Sequence, residues 1–275
     1  MKLEEIYSKN GVISIEVFPP KNGDFEKPKK EIEKLGKFDI SLISVTYGAG
    51  GSLNKNSSDF LIYLKNSLTI PLMAHYTCIN TDKNSAADYL RMLEKTGIEN
   101  ILALRGDMPN GTTATCRDFK HAEDLIKFVA KNSGLSVACA GYPEVHPECE
   151  SPELDIKNLK RKVEAGAKFV YTQLFFENDS FLRYRDKITK EIPDAKIIPG
   201  VMPLKSATQP EKIAEKCNVK IPHQLRILTE KYTDPEPFVQ YSIDRVKHLK
   251  QNGIEDFHFY TLNTAEPLKT ILENI

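Results

Sequence analysis

The sequence predicts a single (β/α)8 TIM barrel, an α/β fold of parallel strands over residues 1–275. Three observations carry this. A length of 275 residues suits one such barrel. Eight short β-rich runs alternate with amphipathic segments. Most of those runs are nearly continuously apolar, as strands covered on both faces are. A doubly wound sheet is the alternative, but it seldom has eight such evenly spaced units.

The first strand is read at Val12–Phe18, where "SIEVFPPK" sets Glu16 among apolar residues and Pro19-Pro20 close the run. An ionised carboxylate there loses its hydration. Glu16 therefore either pairs with a buried cation or keeps a proton near neutral pH and can donate it. The second strand, Leu42–Tyr47, delivers Thr46 and Tyr47 to a glycine-rich "GAGGS". This is no dinucleotide fingerprint, because Leu53 stands where the last glycine belongs. It reads as a tight turn or as backbone that approaches a ring or phosphate. The third strand, Leu72–Thr77, carries His75, and a helix follows the capping candidates Thr81 and Asp82 and ends at Gly97. The fourth, Ile101–Arg105, leads into Arg105, Gly106 and Asp107. These form a rim salt bridge, or they offer a cation and an anion to a ligand.

A helical pattern, "RDFKHAEDLIKFVAKNSG", ends at Gly134, and the fifth strand, Ser136–Gly141, opens into "GYPEVHPE" with Tyr142 and His146. The next helix, "PELDIKNLKRKVEAGA", has proline at its start and glycine at its end. Its basic run has the pattern of a solvated face. Yet Asp155, Asn158, Arg161 and Lys162 lie close to one helical face, at the rim, where a dinucleotide's polar backbone could be held. The sixth strand, Phe169–Phe175, carries Gln173, and its helix opens with Asn178, Asp179 and Ser180 as cap choices and stops before Pro193. The seventh strand is read at Lys196–Val201. Helical segments around Pro210–Cys217, Pro222–Lys231 and Pro235–Asn252 follow, and the eighth strand is Asp256–Leu262. Polar groups thus gather at the C-terminal strand ends, the functional end of such a barrel.

Composition narrows the classes of function. Lys+Arg and Asp+Glu are both 38, so no basic excess points to nucleic acid or an anionic membrane. The N-terminus lacks the apolar core of a signal peptide and no apolar run is long enough for a membrane span. A cytoplasmic protein is expected. The five scattered cysteines, with no C-x-x-C, fit reduced thiols better than a disulfide framework. Two H-x-x-C pairs, His75/Cys78 and His146/Cys149, suggest zinc weakly. The first starts on a strand, which turns its members to opposite faces, and Pro147 splits the second, so no metal site is expected.

Together, "SIEVFPPK", "SVTYGAGGS", "HYTC", "LALRGDMP", "GYPEVHPE", "NLKRKVEAGAKFVYTQLFFEND", "IIPGVMP" and "DFHFYTLN" resemble the flavin-dependent bacterial methylenetetrahydrofolate reductases, in family order and over nearly the whole chain. The resemblance implies an oxidoreductase of one-carbon metabolism and methionine biosynthesis that holds FAD in the barrel. It implies ping-pong hydride transfer from NADH or NADPH to FAD, then from FAD to 5,10-methylenetetrahydrofolate, giving 5-methyltetrahydrofolate. A protein electron donor such as ferredoxin is an alternative to the nicotinamide. Matched to the family, Glu16 is the proton donor and Asp107 stabilises the cationic iminium and tunes the flavin. The FAD contacts carry over to Thr46, Tyr47, Ala49, His75, Arg105, Gly106, Asp107, Ala122, Tyr142, His146, Asp155, Asn158, Arg161 and Lys162. Gln173 and Gln209 match substrate contacts. Two positions depart: Ile213 replaces an aromatic residue that stacks on the donor, and Thr264 replaces an arginine that reaches the folate tail. Self-association is expected. The chain stops soon after its last strand, so neither the S-adenosylmethionine-binding domain of eukaryotic relatives nor inhibition through it is expected. The competing functions are a folate-binding methyltransferase barrel and a non-catalytic electron-transfer flavoprotein.

Overall fold

The alternation of side chains along each strand explains both the barrel and the polar residues in its apolar runs. The computed structural model describes residues 1–47, 55–106 and 118–275, so Ala49, the glycine-rich loop, Asp107 and Cys116 lie outside the described residues. The strands are β1 (Ile13–Val17), β2 (Ile40–Val45), β3 (Leu72–Thr77), β4 (Asn100–Leu104), β5 (Ser136–Gly141), β6 (Phe169–Thr172), β7 (Lys196–Ile198), β8 (Gly200–Val201) and β9 (Phe257–Tyr260). They form one sheet in the order β7-β6-β5-β4-β3-β2-β1-β9-β8, and every pairing is parallel. The predicted barrel is present and nearly closed.

The seventh predicted strand is two strands. β7 pairs with β6 and β8 with β9, so the run Lys196–Val201 connects the two ends of the sheet. Pro199 makes the break, because it has no N–H for the ladder. Its carbonyl is still used, accepting from His258 N at 3.0 Å.

Ile15 and Val17 of β1 point outward into the shell beneath the helices. Val12, Leu42, Met73, Leu102, Ala138, Phe169, Tyr171 and Ile198 point inward and fill the lower barrel. Helix α1 (Leu3–Ile6) seals that end with Leu3, Ile6 and Tyr7. Further along the same faces, inward positions turn polar at Ser14 and Glu16 of β1, Ser44 of β2 and His75 of β3. Outside lie α2 (Glu26–Glu33), α3 (Lys55–Ser67), α4 (Lys83–Lys95), α5 (Ala122–Asn132), α6 (Pro152–Glu164), α7 (Asn178–Glu191), α8 (Gln209–Cys217), α9 (His223–Lys231), α10 (Glu236–Gln251) and α11 (Leu268–Leu272). A third apolar cluster, with Leu174, Phe176, Met202, Leu204, Leu225 and Phe238, carries α8–α10 over one side of the barrel mouth. No described helix is long and apolar enough to cross a membrane.

The helix starts follow local chemistry. Asp82 caps α4 by accepting from Ser85 N at 2.8 Å, as its position predicts. Ser151 caps α6 in the same way, with Pro152 in the first turn. Helix α5 starts at Ala122, later than its sequence pattern, because the Asp124 carboxylate accepts from Lys120 N and His121 N and sets the start there. Helix α7 departs from the predicted caps. Glu177 precedes the helix, and Asn178 turns inward to donate to Arg245 O at 2.8 Å. Strand β6 stops at Thr172, short of Phe175; beyond it Arg245 Nη2 donates to Phe175 O and Tyr241 OH to Phe176 O.

Candidate active site

A cavity of about 690 Å³ opens at the C-terminal strand ends, on the side opposite α1. Its walls come from the loops and helices that follow most of the strands. Glu16, Tyr47, His75, Arg105, Gly106, Ala122, Tyr142, His146, Asp155, Asn158, Arg161, Lys162 and Gln173 all line it. One cavity therefore gathers every sequence-predicted site residue that the structure describes except Thr46 and Gln209. Thr46 lies just outside, its N–H donating to Val17 O at 3.0 Å. Gln209 is buried in a loop-closing role: it accepts from Lys205 N at 2.9 Å and donates to Pro203 O at 3.1 Å. Ala49 and Asp107 lie outside the described residues.

At the floor, the Glu16 side chain is only 22% exposed, and its Oε2 lies 3.8 Å from His75 Nε2. Burial pushes its pKa up to about 7, and the charge of Lys216 opposes that push. A proton is therefore available near neutral pH. Burial pushes His75 down to about 3, so it is neutral, and its buried Nε2 has no hydrogen-bond partner among the described residues. A neutral ring beside a protonated acid is the state that low local polarity favours, and an imidazolium–carboxylate pair is disfavoured there. His258 is likewise pushed down to about 3 by burial, and its Nδ1 lies 2.9 Å from Ser14 Oγ. Tyr260 completes this side, donating its hydroxyl to Thr172 O at 2.7 Å.

The α6 wall is basic. Arg105 meets Glu148 in a two-pronged ion pair, with Nη2 to Oε1 at 2.6 Å. Lys162 Nζ donates to Ala140 O at 2.5 Å, and Arg161 Nη1 to Asn158 Oδ1 at 3.4 Å. Asp155 accepts from His146 N at 3.2 Å, and burial raises its pKa. The Tyr142 and His146 rings meet edge to face at 4.5 Å. Between them Val145 has φ 72°, a left-handed conformation that strains a β-branched residue. That kink lets neighbouring residues face apart: His146 faces the cavity while Glu144 accepts from Lys220 N at 2.7 Å. Gly106 has φ +89°, and a Cβ on it would meet Ile79 and Thr77 at about 3 Å.

Residues outside the sequence reading also line the cavity: Glu148, His258, Tyr260, Lys216 and Cys217. His258 and Tyr260 were accessible in principle, since period-two alternation in "DFHFYTLN" sets both on one face. Glu148 stands in the conspicuous "GYPEVHPE". Lys216 carried no signal, because only the packing of α8 over the mouth brings it there.

The family model described as methylenetetrahydrofolate reductase matches residues 2–275. A 5,10-methylenetetrahydrofolate reductase of Salmonella typhimurium is 35% identical over 92% of this chain and 87% of its own length. One of Buchnera aphidicola is 38% identical over 95% and 91%. The Arabidopsis thaliana methylenetetrahydrofolate reductase (NADH) 1 is 31% identical over 95% of this chain and 48% of its own. Among solved structures, a Clostridium thermocellum protein that binds two copies of 5-methyl-5,6,7,8-tetrahydrofolic acid superposes with TM-score 0.66 at 17% identity, covering 98% of this chain and 94% of that one. At that identity the likeness speaks for the fold alone.

Proposed function

The chain belongs to the methylenetetrahydrofolate reductase family, and from that premise we propose that it reduces 5,10-methylenetetrahydrofolate to 5-methyltetrahydrofolate, with FAD in the cavity and a reduced nicotinamide dinucleotide as donor. The two substrates take turns at one site. The observation that carries the reading is Glu16, a carboxyl that burial holds protonated near neutral pH on the cavity floor.

The residues present fit a dinucleotide cofactor. Arg161 and Lys162 offer cations to a diphosphate, and Arg105 becomes available if Glu148 yields it. His75 Nε2 is a buried polar atom without a partner among the described residues. Gly106 lines the cavity with backbone alone. Tyr47, Ala122, Tyr142, His146, Asp155 and Asn158 would supply the remaining contacts, with Ala49, Thr46 and Asp107 assigned from the sequence match. Bound there, FAD would supply a two-electron carrier that accepts hydride from the nicotinamide and gives it to the folate's methylene carbon.

The chain's own task is to make that carbon electrophilic. Glu16 gives its carboxyl proton to the folate nitrogen that leaves the methylene bridge, and the bridge opens to an iminium. The neutral His75 leaves this proton with Glu16 until substrate takes it. Asp107 favours the iminium's positive charge. Gln173 lines the same wall and serves folate and nicotinamide in turn. The Arabidopsis relative, named as an NADH enzyme, supports NADH as the donor.

Purified protein incubated with FAD should take up a flavin spectrum. Under anaerobic conditions NADH should bleach it, and methylenetetrahydrofolate should restore it. Protein that takes up no FAD, or that stays bleached with folate, rules out this reading. Bleaching by reduced ferredoxin and not by a nicotinamide would replace the donor alone.

A further inference from the structure

The two walls of the cavity are unequal in charge. On the α6 wall, Arg105, Arg161 and Lys162 all have partners, in Glu148, Asn158 and the Ala140 carbonyl. The opposite wall comes from α8, which presents Ile213, Lys216 and Cys217. Among the described residues that line the cavity, Lys216 is the one basic side chain from α8–α10, and no described carboxylate lies within ion-pair distance of it. It is exposed, at the mouth.

Lys216 belongs to the proton donor's side. Glu16 shares the cavity with the neutral His75 from β3, Tyr260 from β9 and Lys216 from α8, and of these Lys216 is the cation. The end of β9 offers no substitute: Thr264 spends its hydroxyl on Thr261 O and Glu266 O and does not line the cavity.

A folate substrate is a pterin joined through a p-aminobenzoyl group to glutamate. The nitrogen that takes the proton of Glu16 lies between the pterin and that ring. With the pterin inside, the glutamate and its two carboxylates must emerge at the mouth. Resting on the reductase reading above, we infer that Lys216 is a specificity residue that receives the glutamate carboxylates of the folate. The contact is a rim ion pair, so it adds affinity for the tail and weakens in salt.

The test is equilibrium binding to the oxidised holoenzyme by titration calorimetry at low salt. The probes are 5-methyltetrahydrofolate and 5-methyltetrahydropteroate, which lacks the glutamate. Wild type should prefer the folate by about fivefold, the effect of one ion pair at a wet surface. K216A should lose that preference while binding the pteroate as before, and K216R should keep it. A preference that survives K216A overturns the inference, and so does an equal loss for both probes. Weakened NADH binding in K216A, with folate binding unchanged, would also overturn it and assign Lys216 to the donor. Failure of the reductase reading looks different: wild type would bind neither probe, and the inference would fall with it.

Discussion

Glu16 shows how one side chain can weaken the fold and serve the chemistry. Its pKa is about 7 in the folded chain against an ordinary 4.5. Between those values the folded state binds more protons than the unfolded one, so stability falls as pH rises through that window. Glu16→Gln removes the dependence. Thermal unfolding at pH 5 should be close for the two proteins. At pH 8 the variant should be the more stable, by up to about 3 kcal/mol if the whole shift is realised. His75 and His258 act with the opposite sign. Their pKa values are depressed to about 3, so stability is lost as pH falls below their unfolded values, but equally in both proteins. The variant should still be bleached by NADH, and folate reduction should slow by about 10²–10⁴. Anaerobic stopped flow separates the two half-reactions; equal slowing of both would remove Glu16 from the proton step. The sequence suggested this residue because a lone acid in an apolar strand is costly. The absence, among the described residues, of a cationic partner at contact distance required the structure.

At the scale of elements, legibility follows the origin of each signal. β3 and β5 have the predicted limits, because both are continuous runs with clear breakers. The cap of α4 was legible because it is local. The cap choices for α7 failed because Asn178 is claimed by Arg245, 67 positions away. Gln209 was read as a substrate contact, and the structure engages both ends of its amide within its own loop, with Lys205 N and Pro203 O, a pairing that residue type does not reveal. Thr46 stands just past the end of β2, where its N–H is held by Val17 O while Tyr47 lines the cavity. The local signals can be tested directly. Asp82→Ala removes the acceptor for Ser85 N at the start of α4. That helix stacks Tyr89 on Tyr76 of β3, with ring centroids 4.3 Å apart, beside the strand that carries His75. The expected loss is about 1 kcal/mol, read as a lower urea midpoint with an unchanged m-value. A changed m-value would mean that α4 detaches as a unit.

Across the whole molecule, the vulnerable point is the seam where the sheet closes. β1–β6 pair in an unbroken series, whereas closure depends on the short β7 and β8 around Pro199. Gly200 sits in that seam. Its N–H donates to Thr172 Oγ1 at 2.9 Å, which ties β8 back to β6. A Cβ at this position would come within 2.3 Å of Thr172 O and 2.6 Å of the Tyr260 ring. The same carbonyl accepts the Tyr260 hydroxyl at 2.7 Å. Gly200→Ala must therefore move a backbone or break that bond, because neither neighbour is the loose end of a flexible side chain. Tyr260 lines the cavity and Gln173 follows Thr172, so the damage reaches the substrate wall as well as the sheet. The expected outcome is a loss of about 1–3 kcal/mol, the cost of overpacking a well-filled interior. Folate reduction should weaken through KM, while FAD uptake on the α6 wall is retained. Denaturant unfolding followed by flavin fluorescence and by far-ultraviolet dichroism should give one coincident transition, as expected if closure holds the barrel as one cooperative unit. A variant as stable as wild type would show that the seam has slack and that closure is carried elsewhere.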